Sequence, residues 1–65
     1  MQSGSLLGKT PARVKQSHAA AAEKELSVQQ GEEVIILRQY TSGWSLVETE
    51  AKKRGVVPTS YLQPK

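Results

Sequence analysis

The chain has 65 residues, 37% of them hydrophobic, and nine Lys and Arg against six Asp and Glu give a formal net charge of +3. This length suits one small domain, which would bury about 60% of the surface that the unfolded chain exposes. The absence of cysteine excludes disulfides, thiolate metal sites and thiol nucleophiles, and a single histidine argues against a zinc site. The aromatic residues are one Trp and two Tyr, with no Phe.

The amino-terminal segment differs in composition from the rest of the chain. Residues 1–11 are rich in Ser, Gly and small polar residues, show no apolar period and end at a proline. We therefore expect a flexible linker or added tail over 1–11 and a folded domain over 12–65. The run of bulky apolar residues at 34–37 is too short to cross a bilayer, and residues 1–10 lack the apolar core of a secretory signal. We expect a cytoplasmic monomer without a membrane span.

Short apolar clusters follow from residue 12 onward, separated by Gly, Ser, Pro and charged residues, which is typical of short antiparallel strands. In the first cluster, alternation places Ala12 and Val14 on one face and Arg13 and Lys15 on the other. The next stretch is ambiguous, because four consecutive alanines at 19–22 give residues 17–26 a high helix propensity. Local sequence alone therefore favours a helix there.

The second half of the chain is predicted to form strands separated by turns. Residues 29–32 form a predicted turn in which Gly31 can adopt positive φ. Strands are predicted at 34–37, 44–48 and 55–57, with breaks at 41–43 and 50–54. Pro58 ends the last of these strands, and a tight helical turn is predicted between Pro58 and Tyr61. Four or five such strands predict an all-β fold, either a small barrel or a folded sheet, since a flat sheet of this size would leave its edges uncovered.

Three blocks of sequence, at residues 25–34, 43–44 and 55–62, resemble in order and spacing the Src homology 3 (SH3) domain family over residues 12–65. The resemblance implies an SH3-like barrel of five short antiparallel strands with one 3-10 turn near Pro58 and Tyr61. It also implies a long loop, rather than a helix, over residues 19–25. Apolar residues sufficient for such a core, each contributing about 25 cal/mol per Å² buried, are Val14, Leu26, Val34, Ile36, Val47, Val57 and Leu62.

The family's function implies a shallow groove of aromatic side chains that receives a proline-rich segment in the polyproline II conformation. By resemblance, Trp44 corresponds to the groove tryptophan, Pro58 to the proline of the groove floor and Tyr61 to the tyrosine that closes a proline slot. Glu25 falls on the acidic position of the long loop, and Glu23 is a second acid nearby. These acids would attract a basic residue of the ligand.

Several positions depart from the family pattern: Gly43, Ser45 and Val56 do so, and the first-strand motif departs most. The first-strand motif ALYDY aligns with residues 14–18, so that Gln16 and His18 replace its two tyrosines. Gln16 could hydrogen-bond the ligand backbone, and His18 could do so in a pH-dependent way. Because lost aromatic contacts lower affinity by about 0.5–1.5 kcal/mol each beyond their buried area, we expect weak or atypical recognition of proline-rich segments.

No catalytic set, cofactor motif or metal site is evident in the sequence, so we expect a non-catalytic interaction module of a larger signalling or cytoskeletal protein. One alternative is a domain-packing or autoinhibitory module within its host protein, using Ile35, Leu37 and Leu46. Another is a basic barrel that binds nucleic acid or acidic lipid headgroups, although we do not expect a nucleic-acid partner. Its basic residues would be Arg13, Lys15, Lys52, Lys53 and Arg54.

Overall fold

The computed structural model describes residues 10–64, which form one antiparallel sheet. In chain order the elements are β1 (Thr10–Val14), β2 (Glu33–Gln39), β3 (Trp44–Thr49), β4 (Arg54–Pro58), η1 (Thr59–Tyr61) and β5 (Leu62–Pro64). The strand order across the sheet is β4-β3-β2-β1-β5, and every neighbouring pair is antiparallel. A single 3-10 turn, η1, interrupts the strands of the described range, so the predicted all-β class is confirmed.

Strand β1 begins at Thr10, two residues before the boundary expected at Ala12. Thr10 and Pro11 oppose Ile36 and Ile35 of β2, and the described residues of β5 pair with Ala12, Arg13 and Val14. Of the flexible linker or tail predicted over 1–11, residues 1–9 lie outside the described residues. Within 10–64, no helix is long and apolar enough to cross a membrane.

Alternate residues of the strands point into one apolar core, as the period of two predicted. Six of the seven core residues predicted from the sequence are buried, and Leu26 is partly buried against them. Val28, from outside the strands, completes the core. Its buried members are Ala12, Val14, Val28, Val34, Ile36, Val47, Val57 and Leu62.

Residues 15–32 connect β1 to β2 as an irregular segment, called here the long loop, and contain no helix. The backbone N–H and C=O of His18 both bond to Val28, at 2.9 Å each. Farther along the loop, Lys24 O accepts from Val56 N at 2.9 Å, and Leu26 N donates to Val56 O at 3.1 Å. These bonds take backbone groups that a helix would need, so tertiary pairing overrides the helix propensity of the alanines. The loop implied by the family resemblance is confirmed.

The β2–β3 connection is a tight hairpin closed by Tyr40 and Trp44. Tyr40 N donates to Trp44 O at 2.8 Å, and Gly43 N donates to Tyr40 O at 3.2 Å. Gly43 has a φ of +96°, in the left-handed region that glycine adopts without steric cost. This pattern is a type I turn followed by a left-handed residue, the common three-residue hairpin loop. Tyr40 and Trp44 therefore face each other across the hairpin.

The β3–β4 connection repeats the same turn with a different residue at the left-handed position. Thr49 N donates to Lys53 O at 2.8 Å, and Lys52 N donates to Thr49 O at 2.9 Å. Lys52 has a φ of +69°, so a side chain occupies the conformation that Gly43 takes in the other hairpin. The predicted polar turn at 50–54 is therefore centred on a strained lysine.

Candidate functional site

Three aromatic side chains from distant parts of the sequence meet on the surface of the sheet. The His18 ring lies edge-on to Trp44, with ring centroids 5.8 Å apart and planes at 74°. It lies edge-on to Tyr61 as well, at 5.8 Å and 73°. We call His18, Trp44 and Tyr61 the ring cluster. All three residues are half-buried, so the cluster presents ring surface to solvent while its members fix one another.

Each member of the ring cluster is positioned by a different element. Trp44 is the first residue of β3 and opposes Pro58, the last residue of β4, in the strand register. Tyr61 ends the 3-10 turn that follows Pro58 directly. His18 is held by its paired backbone bonds to Val28 in the long loop. The structure thus brings four of the predicted site residues together, with half-buried Pro58 lying beside the rings.

A partly buried hydroxyl pair fixes the 3-10 turn to β3. Ser45 is fully buried, and its Oγ lies 2.6 Å from Thr59 Oγ1. Thr59 N also donates to Gly43 O at 2.8 Å. These bonds hold the turn that carries Tyr61 next to the strand that carries Trp44. Neither hydroxyl residue was predicted as part of the site; the available signal was a small polar residue, Ser45, at an inward-facing position of β3.

Glu25 contacts the ring cluster through its carboxylate. Its Oε1 accepts a hydrogen bond from Ala21 N at 2.9 Å and lies 3.0 Å from His18 Nε2. The pKa of Glu25 is lowered chiefly by the Ala21 hydrogen bond, with the His18 contact adding to the effect and partial burial opposing it. Only 15% of either side chain in the His18–Glu25 pair is exposed. Glu25 therefore anchors His18 within the long loop, whereas Glu23 is exposed at the loop tip.

The lowered pKa of Glu25 predicts a pH dependence of stability. A carboxyl whose pKa falls on folding stabilises the folded state above its ordinary pKa of 4.5, and that contribution is lost as the pH falls through the folded value. Glu25→Gln should therefore lower stability at neutral pH and flatten the loss of stability below 4.5. Urea denaturation at a series of pH values measures both effects.

The matched control for this prediction is Glu23→Gln, which removes an exposed acid of the same loop that makes neither contact. The Glu23→Gln variant should lose stability at acidic pH to the same extent as the unmodified chain. Identical pH profiles for Glu25→Gln and Glu23→Gln would show that the contacts of Glu25 do not stabilise the fold.

Gln16 and His18, the residues at the two tyrosine positions of the family motif, lie in different surroundings. His18 joins the ring cluster, whereas Gln16 is exposed. Gln16 follows Lys15, whose N–H donates to Tyr61 O at 2.6 Å, so its backbone lies at the Tyr61 end of the cluster. The aromatic surface therefore ends at Tyr61 on that side, where the polar residue Gln16 is exposed.

The basic residues 52–54, predicted as part of an alternative binding surface, lie away from the ring cluster. Lys52, Lys53 and Arg54 are exposed at the far end of β3 from Trp44, about 17 Å away for a strand of this length. Arg54 is paired with Glu48 at 3.5 Å. A depression of about 190 Å³ lies on the sheet, with Ile35 among its lining residues. Among the described residues, no group of three His, Cys, Asp or Glu side chains could hold a metal ion.

Comparison with known proteins identifies a family match over most of the chain. A family model described as a variant SH3 domain matches residues 14–63. The search of curated proteins found no match. Among solved structures, the Acanthamoeba myosin I SH3 domain bound to Acan125 is 26% identical, with a TM-score of 0.82, and the match covers 89% of this chain and 98% of that one.

Two further solved structures show the same fold. The C-terminal SH3 domain of myosin IB from Entamoeba histolytica, bound to the EhFP10(GEF) peptide, is 24% identical with a TM-score of 0.81, covering 88% of this chain and 93% of that one. The yeast Nbp2p SH3 domain in complex with a peptide from Ste20p is 24% identical with a TM-score of 0.83, covering 88% and 87%. The barrel architecture predicted from the sequence is confirmed.

Proposed function

The chain belongs to the SH3 domain family, and from this premise we propose that it binds proline-containing segments of partner proteins at the ring cluster, and that it binds them weakly. The observation that carries the proposal is the convergence of His18, Trp44 and Tyr61 beside Pro58. Gln16, Glu25 and Glu23 complete the proposed site at its margins.

The chemistry of the ring cluster suits an extended proline segment. Edge-on contacts hold the rings of Trp44 and Tyr61 against His18, so the cluster offers apolar ring surface against which a proline ring can pack. A polyproline II segment is already extended before it binds, so docking costs little conformational entropy. The hydroxyl of Tyr61 and a ring nitrogen of His18 at the same surface could donate hydrogen bonds to backbone carbonyl groups of the ligand.

Two features of the site support weak binding. The ring surface stops at Tyr61, because exposed Gln16 stands where the family has an aromatic residue. Glu25 makes its two contacts within the loop, to Ala21 and His18, so its charge is partly compensated before a ligand arrives. Exposed Glu23 is the other acidic residue of the loop that a basic ligand residue could approach. The positive charge of the adjacent Lys24 weakens the attraction of Glu23 for such a residue.

The setting we propose is a non-catalytic interaction module of a larger cytoplasmic protein with signalling or cytoskeletal functions. The likeness to the Acanthamoeba myosin I SH3 domain bound to Acan125 supports a cytoskeletal host. The domain would act as a monomer and without a cofactor.

The proposal is tested by titrating the ¹⁵N-labelled domain with a proline-rich peptide that carries a flanking arginine and recording amide chemical shifts. We expect concentration-dependent shifts concentrated at His18, Trp44 and Tyr61. The control is the same peptide with alanine in place of every proline, which should cause smaller shifts. Shifts confined to residues away from Trp44 and Tyr61, or equal responses to both peptides, would contradict the proposal.

A further inference from the structure

The two ring nitrogens of His18 have different surroundings. Nε2 lies 3.0 Å from Glu25 Oε1, the atom that also accepts a hydrogen bond from Ala21 N at 2.9 Å. Nδ1 forms no hydrogen bond with any of residues 10–64. Only 15% of the His18 side chain is exposed, and a buried polar atom without a partner is costly. Nδ1 is therefore the ring nitrogen that a ligand covering the ring cluster could bond.

The contact with Glu25 determines which nitrogen of a neutral His18 carries the proton. An ionised carboxylate accepts hydrogen bonds and cannot donate one, and the lowered pKa of Glu25 keeps that group ionised at neutral pH. The hydrogen in the contact is therefore on Nε2, which donates to Glu25 Oε1. A neutral imidazole carries a proton on one nitrogen only, so Nδ1 of neutral His18 is an acceptor.

This acceptor does not match the backbone of a proline-rich segment. Proline has no backbone N–H, so such a segment presents mainly carbonyl oxygens, which are acceptors as well. Two acceptors form no hydrogen bond, and a ligand that covered Nδ1 would leave it unsatisfied. Protonation of His18 removes the mismatch, because both ring nitrogens then donate, Nε2 to Glu25 and Nδ1 to a ligand carbonyl.

We propose that the domain takes up a proton at His18 Nδ1 when it binds a proline-rich segment, so that its affinity rises as the pH falls below neutrality. The inference rests on the proposed function, because the ligand is the one proposed to cover the ring cluster. Histidine suits this role, since its ordinary titration lies between about pH 5 and 8. A tyrosine, which the family motif has at this position, keeps its O–H over that range and would not couple binding to pH.

The groups that face His18 can accommodate a positive charge on its ring. The carboxylate of Glu25 contacts the ring directly, and Glu32 lines a shallow depression together with His18. The 3-10 turn contributes the phenol of Tyr61, and Trp44 of β3 carries no titratable group. An imidazolium at His18 therefore meets opposite charge at Glu25.

The test is isothermal titration calorimetry with a proline-rich peptide that has blocked ends, a flanking arginine and no Asp, Glu, His or Lys. This peptide does not titrate between about pH 5.5 and 8, and Glu25, whose ordinary pKa is 4.5, stays ionised there. We expect about three- to ten-fold tighter binding at the lower pH than at the higher. Near neutrality, the binding enthalpy should differ between phosphate and Bis-Tris buffers in the direction of proton uptake.

Two variants and one spectrum locate the effect at His18. His18→Tyr should bind the peptide with an affinity that does not change with pH, because a phenol donates throughout this range. The matched control is Glu32→Gln, which removes the other acid near His18 and should retain the pH dependence. A long-range ¹H–¹⁵N correlation spectrum of the free domain at about pH 8 should place the His18 proton on Nε2.

Equal affinities at the two pH values, or weaker binding at the lower one, would overturn the inference. A pH dependence that persists in His18→Tyr or disappears in Glu32→Gln would do the same, as would a proton on Nδ1 in the free domain. The proposed function stands after any of these results if the peptide binds and Trp44→Ala weakens its binding. Absence of binding at both pH values would overturn both proposals.

Discussion

Replacing Gly55 with alanine is expected to destabilise the domain by about 1–3 kcal/mol, the usual cost of overpacking. A Cβ at this position would lie 2.7 Å from Leu26 Cβ and 3.1 Å from both Leu26 N and Lys24 O. Two of these three atoms are backbone, and the third is fixed to the backbone, so no side-chain rotation can relieve the contact. Small domains have a total stability of only about 5 kcal/mol or slightly more, so the loss would be a large fraction of the whole.

The backbone near Gly55 cannot move away without breaking bonds that hold the long loop to the sheet. Lys24 O and Leu26 N both bond to Val56, at 2.9 and 3.1 Å. Moving this part of the loop would also shift Glu25, which lies between the two bonded residues and anchors His18. The same substitution is therefore expected to disturb the ring cluster.

The expected loss is measured by urea denaturation followed by circular dichroism, with Leu26→Ala as the background that controls for the mechanism. Leu26→Ala removes the end of the side chain but keeps the Cβ and backbone atoms that Gly55→Ala would meet. Gly55→Ala should therefore cost as much in the Leu26→Ala background as alone. Relief of the cost by Leu26→Ala, or no cost at all, would show that the loop is free to move.

Replacing Trp44 with alanine is expected to weaken binding of a proline-rich peptide at least about ten-fold, because a central aromatic residue commonly dominates the energy of an interface. Trp44 contacts His18 and opposes Pro58, so its loss removes one wall of the proposed proline slot. Affinity is measured by isothermal titration calorimetry, and circular dichroism checks that the variant is folded.

Leu46→Ala is the matched control for Trp44→Ala. Leu46 is half-buried on the same strand, and alternation places it on the same face as Trp44. Its truncation removes apolar area without removing a ring, so it should change affinity by much less. Equal losses of affinity in the two variants would point to a general effect of unfolding, and unchanged binding by Trp44→Ala would remove the tryptophan from the site.

The strands and their core could be predicted because local pattern and final packing agree. Val34 and Ile36 alternate with residues of the outer face, and both are buried as the period of two requires. The predicted turn at Gly31 is confirmed, since Gly31 has a φ of +91° and Glu32 N donates to Gln29 O at 3.0 Å. Such agreement between local sequence preference and tertiary packing is typical of natural sequences.

The alanine-rich stretch could not be predicted from local sequence, because its conformation depends on residues far along the chain. The bonds from Lys24 and Leu26 reach Val56, about 30 residues away in sequence. Propensity contains no information about such a partner, and only the family resemblance indicated a loop. The start of β1 at Thr10 also depends on a distant partner, because Thr10 and Pro11 pair with Ile36 and Ile35 of β2.

Some residues of the candidate site could be predicted from the sequence, and the contacts of others could not. The positions of Trp44, Pro58 and Tyr61 followed from the family resemblance, and the structure places them together with His18. The contacts of the Glu25 carboxylate with Ala21 and His18 depend on the path of the long loop. The spacing of residues along the sequence does not define that path. Tyr40 could be recognised as an aromatic residue near a turn, but its pairing with Trp44 depends on the hydrogen bonds of that turn.

The central claim is that the ring cluster receives the prolines of the ligand. Intermolecular nuclear Overhauser effects between the domain and a bound proline-rich peptide test it most directly. Contacts from the δ protons of a ligand proline to the indole of Trp44 and the ring of Tyr61 are the predicted result. Contacts instead to the sheet depression that includes Ile35, with none to the ring cluster, would contradict the account.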